Sequence, residues 1–324
     1  MWDGNQWGPL WLLRAQIVEA AKASFGHVAH APPTFMTEGL MNQSWRVDSG
    51  DGTYVMRVSR SDLSHERVVY EHAVLGRLHH EVREVVPAMP GLNGETLQAW
   101  RGRLLSIFPY VHGVLGTEVE ADVRWPQVAS TMARIHRAGT GLDRGAADAP
   151  HTVLDKPTMW STVRPVLQRD LPHTSEVVEL FRFLDGEATE LEAWLENLRT
   201  SGRFLPRGVV HGDFNPRNLI FDQDQLVAVI DWEGCHVDVL AYEAALAIQA
   251  PDPMAFWRTY LEAGGPLTAA DVDLLGGLAR IGTLAELQFT TDGGHRSKPW
   301  AVEVLRDVAH DLRRLRERTA GLGL

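Results

Sequence analysis

The alternation of hydrophobic and polar residues along the chain changes near residue 112. Before that point, the pattern predicts short strands rich in β-formers at residues 34–36, 44–47, 54–58 and 103–111. A Gly- and Asp-containing turn at 49–52 joins the second strand to the third. Apolar residues at helical spacing predict helices at 10–25 and 65–79. The first part of the chain therefore predicts a small, β-rich lobe over residues 1–111.

From residue 112 onward the apolar residues recur mainly at helical spacing. They predict helices at 125–138, 176–198, 239–248, 254–263, 269–289 and 302–318. Between the first two of these, residues 139–173 are rich in Gly, Pro and Asp, which suggests either a solvated connection or a lining for a substrate site. The expected fold class is α+β, with a larger, mainly helical lobe over residues 112–324.

One segment of the second part of the chain contains candidate catalytic and metal-binding residues. The apolar pair Val209 and Val210 leads into a Gly-containing turn that presents Asp213, and Asn218 follows five residues later. A predicted strand at 226–230 then delivers Asp231. In phosphoryl transfer, one carboxylate accepts the proton of the attacking hydroxyl, while an amide oxygen and a second carboxylate bind Mg²⁺. These three residues fit those roles in order.

The order His-Gly-Asp-x-x-x-x-Asn at 211–218 followed by Ile-Asp-Trp-Glu at 230–233 resembles the aminoglycoside phosphotransferase and the choline or homoserine kinase-like families. The resemblance implies the protein-kinase-like two-lobed fold and covers most of the chain. It also implies that Asp213 is the catalytic base and that Asn218 and Asp231 bind Mg²⁺. The nucleotide it implies is ATP, with GTP as the alternative.

Within the same resemblance, Arg57 takes the strand position of the cation that touches the α- and β-phosphates. Arginine replaces the more usual lysine, and it keeps its charge and can bind phosphate through two hydrogen bonds. Glu71 on the following helix is the expected ion-pair partner. Glu66 is the rival partner, because it precedes Glu71 on the same helix and would suit a shorter connection.

Two further segments are expected to contact the nucleotide. The loop at 39–44 has one glycine and lacks the Gly-rich signature of protein kinases, but Ser44 and its neighbours offer donors to the phosphates. Residues 104–113 are typical of the hinge between the lobes. There, the carbonyl of Pro109 would bind the adenine amino group and Val111 would supply an N–H and apolar cover; an edge strand that ends in a turn is the alternative.

Composition narrows the class of partner. The net charge of −11 argues against nucleic-acid binding, and residues 114–324 carry −10 of it. That imbalance indicates either ordinary surface charge or a site that concentrates a cationic acceptor. The single cysteine, Cys235, is expected to be a small buried residue. Because no apolar run approaches the roughly 20 residues of a membrane span, and a basic signal region is missing, we expect a cytoplasmic protein without a membrane partner.

We therefore expect an ATP-dependent kinase that phosphorylates a hydroxyl of a small molecule. The leading candidate for the acceptor is an aminoglycoside-like antibiotic or other amino-sugar. A homoserine or amino-alcohol (choline-like) kinase is the alternative, and a catalytically inactive nucleotide-binding module is the second. A protein kinase is disfavoured, because about seven residues separate Asp231 from the next predicted helix and no Asp-Phe-Gly or Ala-Pro-Glu signature occurs.

Overall fold

The computed structural model describes residues 11–36, 42–142, 152–154, 159–287 and 300–322. Residues 39–41 of the predicted phosphate loop lie outside this range. Within it, the helices are α1 (Arg14–Ala20), α2 (His65–His79), α3 (Ala121–Ala138), α4 (Met159–Asp170), α5 (Ser175–Thr200), α6 (Leu240–Ala244), α7 (Pro253–Glu262), α8 (Leu275–Ala285) and α9 (Trp300–Leu322). Among the described helices, none is long and apolar enough to cross a membrane.

In the part of the chain that the structure describes, the strands divide among three sheets. They are β1 (Thr34–Met36), β2 (Gln43–Ser49), β3 (Gly52–Val58), β4 (Leu97–Trp100), β5 (Arg103–Pro109), β6 (Val114–Leu115), β7 (Arg207–Val210), β8 (Leu219–Asp222), β9 (Gln225–Val229) and β10 (His236–Val239). The first five form an antiparallel sheet in the order β1-β2-β3-β5-β4. The other two sheets are β6-β8-β9 and β10-β7.

The described residues divide into two compact units, and the first contains residues 11–36, 42–127 and 211–236. It therefore extends past the predicted lobe limit at residue 111 and takes in the segment with Asp213, Asn218 and Asp231. The reason is pairing between distant segments: β6 pairs with β8, in the register Val114 with Phe221. A two-residue strand has no periodic signal, so the hydrophobic pattern did not indicate it.

The core of the first unit lies on one face of the five-stranded sheet. Successive side chains of a strand point to opposite faces of the sheet, so every second side chain of β2, β3 and β5 lies on this face. These side chains pack against α1 and the π-turn that continues it, Ala21–Phe25, which ends at Gly26 with φ 77°. This cluster contains Leu12, Ile17, Phe25, Trp45, Val47, Met56, Val58, Leu105 and Ile107. The opposite face of the sheet carries Ser44, Arg46 and Arg57 together with the apolar Val55 and Phe108.

The second unit contains the described residues of 128–142, 152–154, 159–210, 237–287 and 300–322 and is mainly helical. Thr174 caps α5 and Asp252 caps α7 through side-chain oxygens, as expected for these residue types. The segment 139–173 contains a helix that its composition did not predict. Pro165 lies within this helix, α4, and hides its apolar period, yet Trp160 and Leu167 are buried.

Candidate active site

A β-hairpin brings two of the predicted site residues together. Strands β8 and β9 are antiparallel, with Leu219 opposite Val229, and they are joined at Gln223 and Asp224, which both have the positive φ of a tight hairpin turn. Asn218 immediately precedes β8 and Asp231 follows β9, so both lie at the open end of the hairpin. The Ile230 N–H donates to the Asn218 carbonyl at 2.9 Å and fixes this end.

His211 connects the turn that carries Asp213 to the same hairpin. Its buried ring donates from Nε2 to the Ile230 carbonyl at 2.8 Å, and its Nδ1 accepts from the Asp213 N–H at 3.2 Å. The intervening Gly212 has φ 84°, and a Cβ there would collide with the Gly234 carbonyl oxygen. Glycine is therefore required, because the two turns pack backbone to backbone.

Two amide side chains hold the Asp213 carboxylate. Asn215 Nδ2 donates to Oδ1 at 2.6 Å, and Asn218 Nδ2 donates to Oδ2 at 2.8 Å. Asp213 itself is exposed. The side-chain NH₂ of Asn218 donates hydrogen bonds to Asp213. The side-chain oxygen of Asn218 is therefore the atom that can coordinate a cation.

Asp231 has a left-handed backbone, with φ 64° and ψ 59°. Asp tolerates this region better than most residues, and such conformations concentrate at functional sites. Although Asp231 remains solvent-accessible, desolvation by the protein around it raises the pKa of its carboxyl to about 7, and the charge of Glu233 adds to the shift while Arg57 opposes it. The ionised form of this carboxyl is therefore disfavoured, first by desolvation and then by the nearby negative charge of Glu233.

Arg57 and Glu71 form a buried ion pair with two parallel hydrogen bonds. Arg57 Nη1 donates to Glu71 Oε1 at 2.8 Å and Nη2 donates to Oε2 at 2.7 Å. Burial disfavours the guanidinium charge, but the Glu71 carboxylate outweighs it and raises the pKa of Arg57 above its ordinary value. Glu66 is exposed on α2, so the rival pairing is not the one formed. Arg57 Nε is buried and has no hydrogen-bond partner among the described residues.

Helix α2 is also tied to the turn that follows Asp231, through residues that the sequence did not single out. The buried Arg67 donates from Nη2 to the carbonyls of Glu233 and Cys235, both at 2.5 Å. Asn42, within the predicted phosphate loop at 39–44, donates to the Glu233 carboxylate. The position of Arg67, one helical turn before Glu71, was the available signal. Cys235 is buried as expected, and desolvation raises the pKa of its thiol to about 12.

The remaining predicted residues lie along the same sheet. Ser44 is directly opposite Arg57 in the register of β2 and β3, so both side chains leave the same face. Pro109 ends β5, opposite Tyr54, and Val111 follows two residues later. Gly113 then passes so close to Phe221 that a Cβ would strike its carbonyl oxygen, which explains the glycine at the end of the predicted hinge.

These residues fit a nucleotide with a divalent cation. Among the described residues, no group of three His, Cys, Asp or Glu side chains has metal-binding geometry. Mg²⁺ does not require one, because it commonly binds one or two protein oxygens together with water and substrate phosphates. The Asn218 amide oxygen and the Asp231 carboxylate are ligands of that kind, and a bound cation would favour the ionised form of the Asp231 carboxyl.

Comparison with known proteins places the chain in a family. Residues 34–275 match the phosphotransferase enzyme family. The chain belongs to this family. The expected relationship to aminoglycoside phosphotransferases and homoserine kinase-like proteins is confirmed.

Individual relatives are distant. A homoserine kinase of Nitrobacter hamburgensis is 24% identical over 226 residues, which cover 66% of this chain and 62% of the relative. A spectinomycin phosphotransferase in complex with ADP and spectinomycin has a TM-score of 0.70 at 12% identity, covering 95% of this chain and 100% of the other. A microcompartment-associated aminopropanol kinase has a TM-score of 0.69 at 19% identity, covering 95% and 98%. These structures confirm the protein-kinase-like fold class.

Proposed function

We propose that the protein transfers the terminal phosphoryl group of ATP to a hydroxyl of a small molecule. The observation that carries this proposal is the open end of the β8–β9 hairpin, where Asn218 and Asp231 lie together and Asn218 is bonded to Asp213. In the proposed roles, Asp213 is the base, Asn218 and Asp231 bind Mg²⁺, and Arg57, held by Glu71, contacts the phosphates. Ser44 and the backbone at Pro109 and Val111 contact the rest of the nucleotide.

The chemistry of these groups follows from their surroundings. Asn215 and Asn218 orient the Asp213 carboxylate, which accepts the proton of the acceptor hydroxyl as the hydroxyl oxygen attacks the γ-phosphorus. The bond from the γ-phosphorus to the bridging β,γ-oxygen breaks, and ADP leaves. Bound Mg²⁺ would neutralise charge on the phosphate oxygens. Arg57 stabilises negative charge on the α- and β-phosphates, and because Glu71 fixes its guanidinium, little reorganisation is needed during transfer.

For the acceptor, we propose an amino-alcohol, a small molecule with a hydroxyl and a protonated amine. The charge of −10 over residues 114–324 supports a cationic group. Curated relatives named homoserine kinase and the structural similarity to an aminopropanol kinase support the amino-alcohol class. An amino-sugar or aminocyclitol antibiotic is the second candidate, supported by the similarity to the spectinomycin enzyme.

A coupled ADP-release assay with a panel of acceptors tests the proposal. Homoserine, aminopropanol, choline, spectinomycin and an aminoglycoside would each be tested with ATP and with GTP, at varied Mg²⁺. We expect turnover with one of the amine-bearing acceptors that requires Mg²⁺ and is absent in Asp213→Asn. Nucleotide binding without transfer to any acceptor would instead favour the inactive nucleotide-binding module.

A further inference from the structure

An arginine outside the predicted site lies on the same sheet face as Arg57. Directly opposite residues of antiparallel strands share a face, and the register places Ser44 opposite Arg57. Two residues farther along β2, Arg46 is opposite Val55, which in turn is opposite Phe108 of β5. Arg46 is therefore one row, or about 7 Å, from the row of Arg57 along the strand direction.

The row of Arg46, Val55 and Phe108 lies between the row of Arg57 and the end of β5. The next position along β5 is Pro109, and the Tyr110 N–H donates to the Thr53 carbonyl at 2.9 Å. If Arg57 binds phosphates and the backbone at Pro109 and Val111 binds the adenine edge, as proposed above, the base must lie over the row of Arg46 and Val55. The inference rests on that function.

The guanidinium of Arg46 is held in a defined position. Its Nε and Nη2 donate to Asp48 Oδ1 at 3.1 and 3.0 Å, and the Thr53 hydroxyl donates to the same oxygen at 2.9 Å. The guanidinium also lies over the Tyr110 ring, with its central carbon 4.8 Å from the ring centroid. The Arg46 side chain nevertheless stays 38% exposed, so a second ring can reach it.

We propose that Arg46 stacks its guanidinium on the purine ring of the bound nucleotide. A planar guanidinium has two faces, and the Tyr110 ring covers one of them. Arg46 lies one row nearer than Arg57 to Pro109, on the side assigned to the base, so an aromatic ring and not a phosphate is the group that its guanidinium face meets. Asp48 and Thr53 are positioning residues that set the plane of the guanidinium.

Binding measurements on nucleotide fragments test this assignment. Isothermal titration would compare ATP, adenosine and inorganic tripolyphosphate for the parent, Arg46→Ala and Arg46→Lys. We expect Arg46→Ala to weaken the binding of ATP and of adenosine by the same factor, about tenfold, and to leave the binding of tripolyphosphate unchanged. Arg46→Lys should behave like Arg46→Ala, because an ammonium keeps the charge but lacks the planar face.

Arg101 offers a matched control in the same unit. It lies over the Trp100 ring at 4.4 Å and pairs with Glu19 at 2.9 Å, so it has the same kinds of contact away from the proposed base site. Arg101→Ala should bind all three ligands like the parent. Thermal melts of each variant would show that the fold is retained.

Other outcomes overturn the inference. Arg46→Ala could weaken the binding of tripolyphosphate and ATP but not that of adenosine, or Arg46→Lys could bind ATP like the parent. Either result would show that Arg46 acts through its charge and contacts a phosphate. If no ligand changes, Arg46 is a surface residue. A parent protein that binds none of the three ligands would instead contradict the proposed function, so the two failures are distinguishable.

Discussion

At the scale of single residues, the groups proposed for catalysis differ in how firmly they are held. Asp213 is exposed but is bonded through both carboxylate oxygens, by Asn215 and Asn218. Arg57 is buried and bonded to Glu71. A change at Asp213 should therefore affect chemistry, while a change at Arg57 should affect both packing and nucleotide binding.

Asp213→Asn is expected to lower kcat by about 10² to 10⁴, the usual contribution of a general base. ATP binding should be nearly unchanged, because the residue acts on the acceptor hydroxyl. Steady-state turnover together with titration of an ATP analogue would measure both. Near-parental turnover would remove Asp213 from the catalytic role. Asp222→Asn, at the far end of the same hairpin, provides the control.

Arg57→Ala should weaken ATP binding and lower turnover together, because it removes the phosphate contact and leaves the Glu71 carboxylate buried without its partner. Arg57→Lys keeps the charge but can replace only one of the two parallel hydrogen bonds, so partial activity is expected. The double variant Arg57→Ala with Glu71→Ala should recover thermal stability but not ATP affinity. If the two single variants both behaved like the parent, the phosphate contact would have to come from another residue.

At the scale of elements, helix α2 joins the sheet through a buried chain of polar groups. His72 contacts the Ser106 hydroxyl at 3.0 Å and the Thr96 hydroxyl at 2.8 Å. Burial lowers the pKa of His72 to about 4, and the nearby Arg57 charge contributes, although Glu71 opposes the shift. The imidazole is therefore neutral in the folded protein at neutral pH.

This depressed pKa predicts a loss of stability in acid. The unfolded chain takes up a proton at His72 near its ordinary pKa of about 6.5, while the folded protein does so only near pH 4. The stabilising contribution is full above about pH 6.5 and declines as the pH falls toward 4. Urea unfolding across this range should show a steeper pH dependence in the parent than in His72→Gln. Equal slopes would show that His72 does not titrate as described.

The elements themselves were largely predictable from the sequence, and the links between them were not. Helix α2 was predicted with the correct bounds, because its apolar period is regular and Ser64 caps it. The Arg57–Glu71 contact followed from a resemblance. The bonds of His211 to Ile230 and of Arg67 to Glu233 and Cys235 depend on which turns approach each other, and no local pattern records that.

At the scale of the whole molecule, the uneven charge makes a prediction about substrate capture. If the net charge of −10 over residues 114–324 attracts a cationic acceptor, the KM for that acceptor should rise steeply as salt is added. Exposed charges are screened over about 8 Å at physiological ionic strength and over a shorter distance at higher salt. The KM for Mg-ATP should change much less.

Measuring both constants from low salt to roughly 0.5 M KCl checks this expectation, since the screening length falls severalfold over that span. A zwitterionic acceptor such as homoserine serves as the comparison for a polyamine. If a polyamine acceptor showed no salt dependence of KM, the acidity would be ordinary surface charge and would say nothing about the substrate.

The burial of Cys235 has a practical consequence for labelling. It is the only cysteine in the sequence, and a thiol with a pKa of about 12 has almost no thiolate at neutral pH. Maleimide should therefore leave the folded protein unmodified and react once it is unfolded. A cysteine introduced at an exposed position, such as Phe204→Cys, would then be the single reactive thiol, and a fluorophore could be attached without first removing the native one.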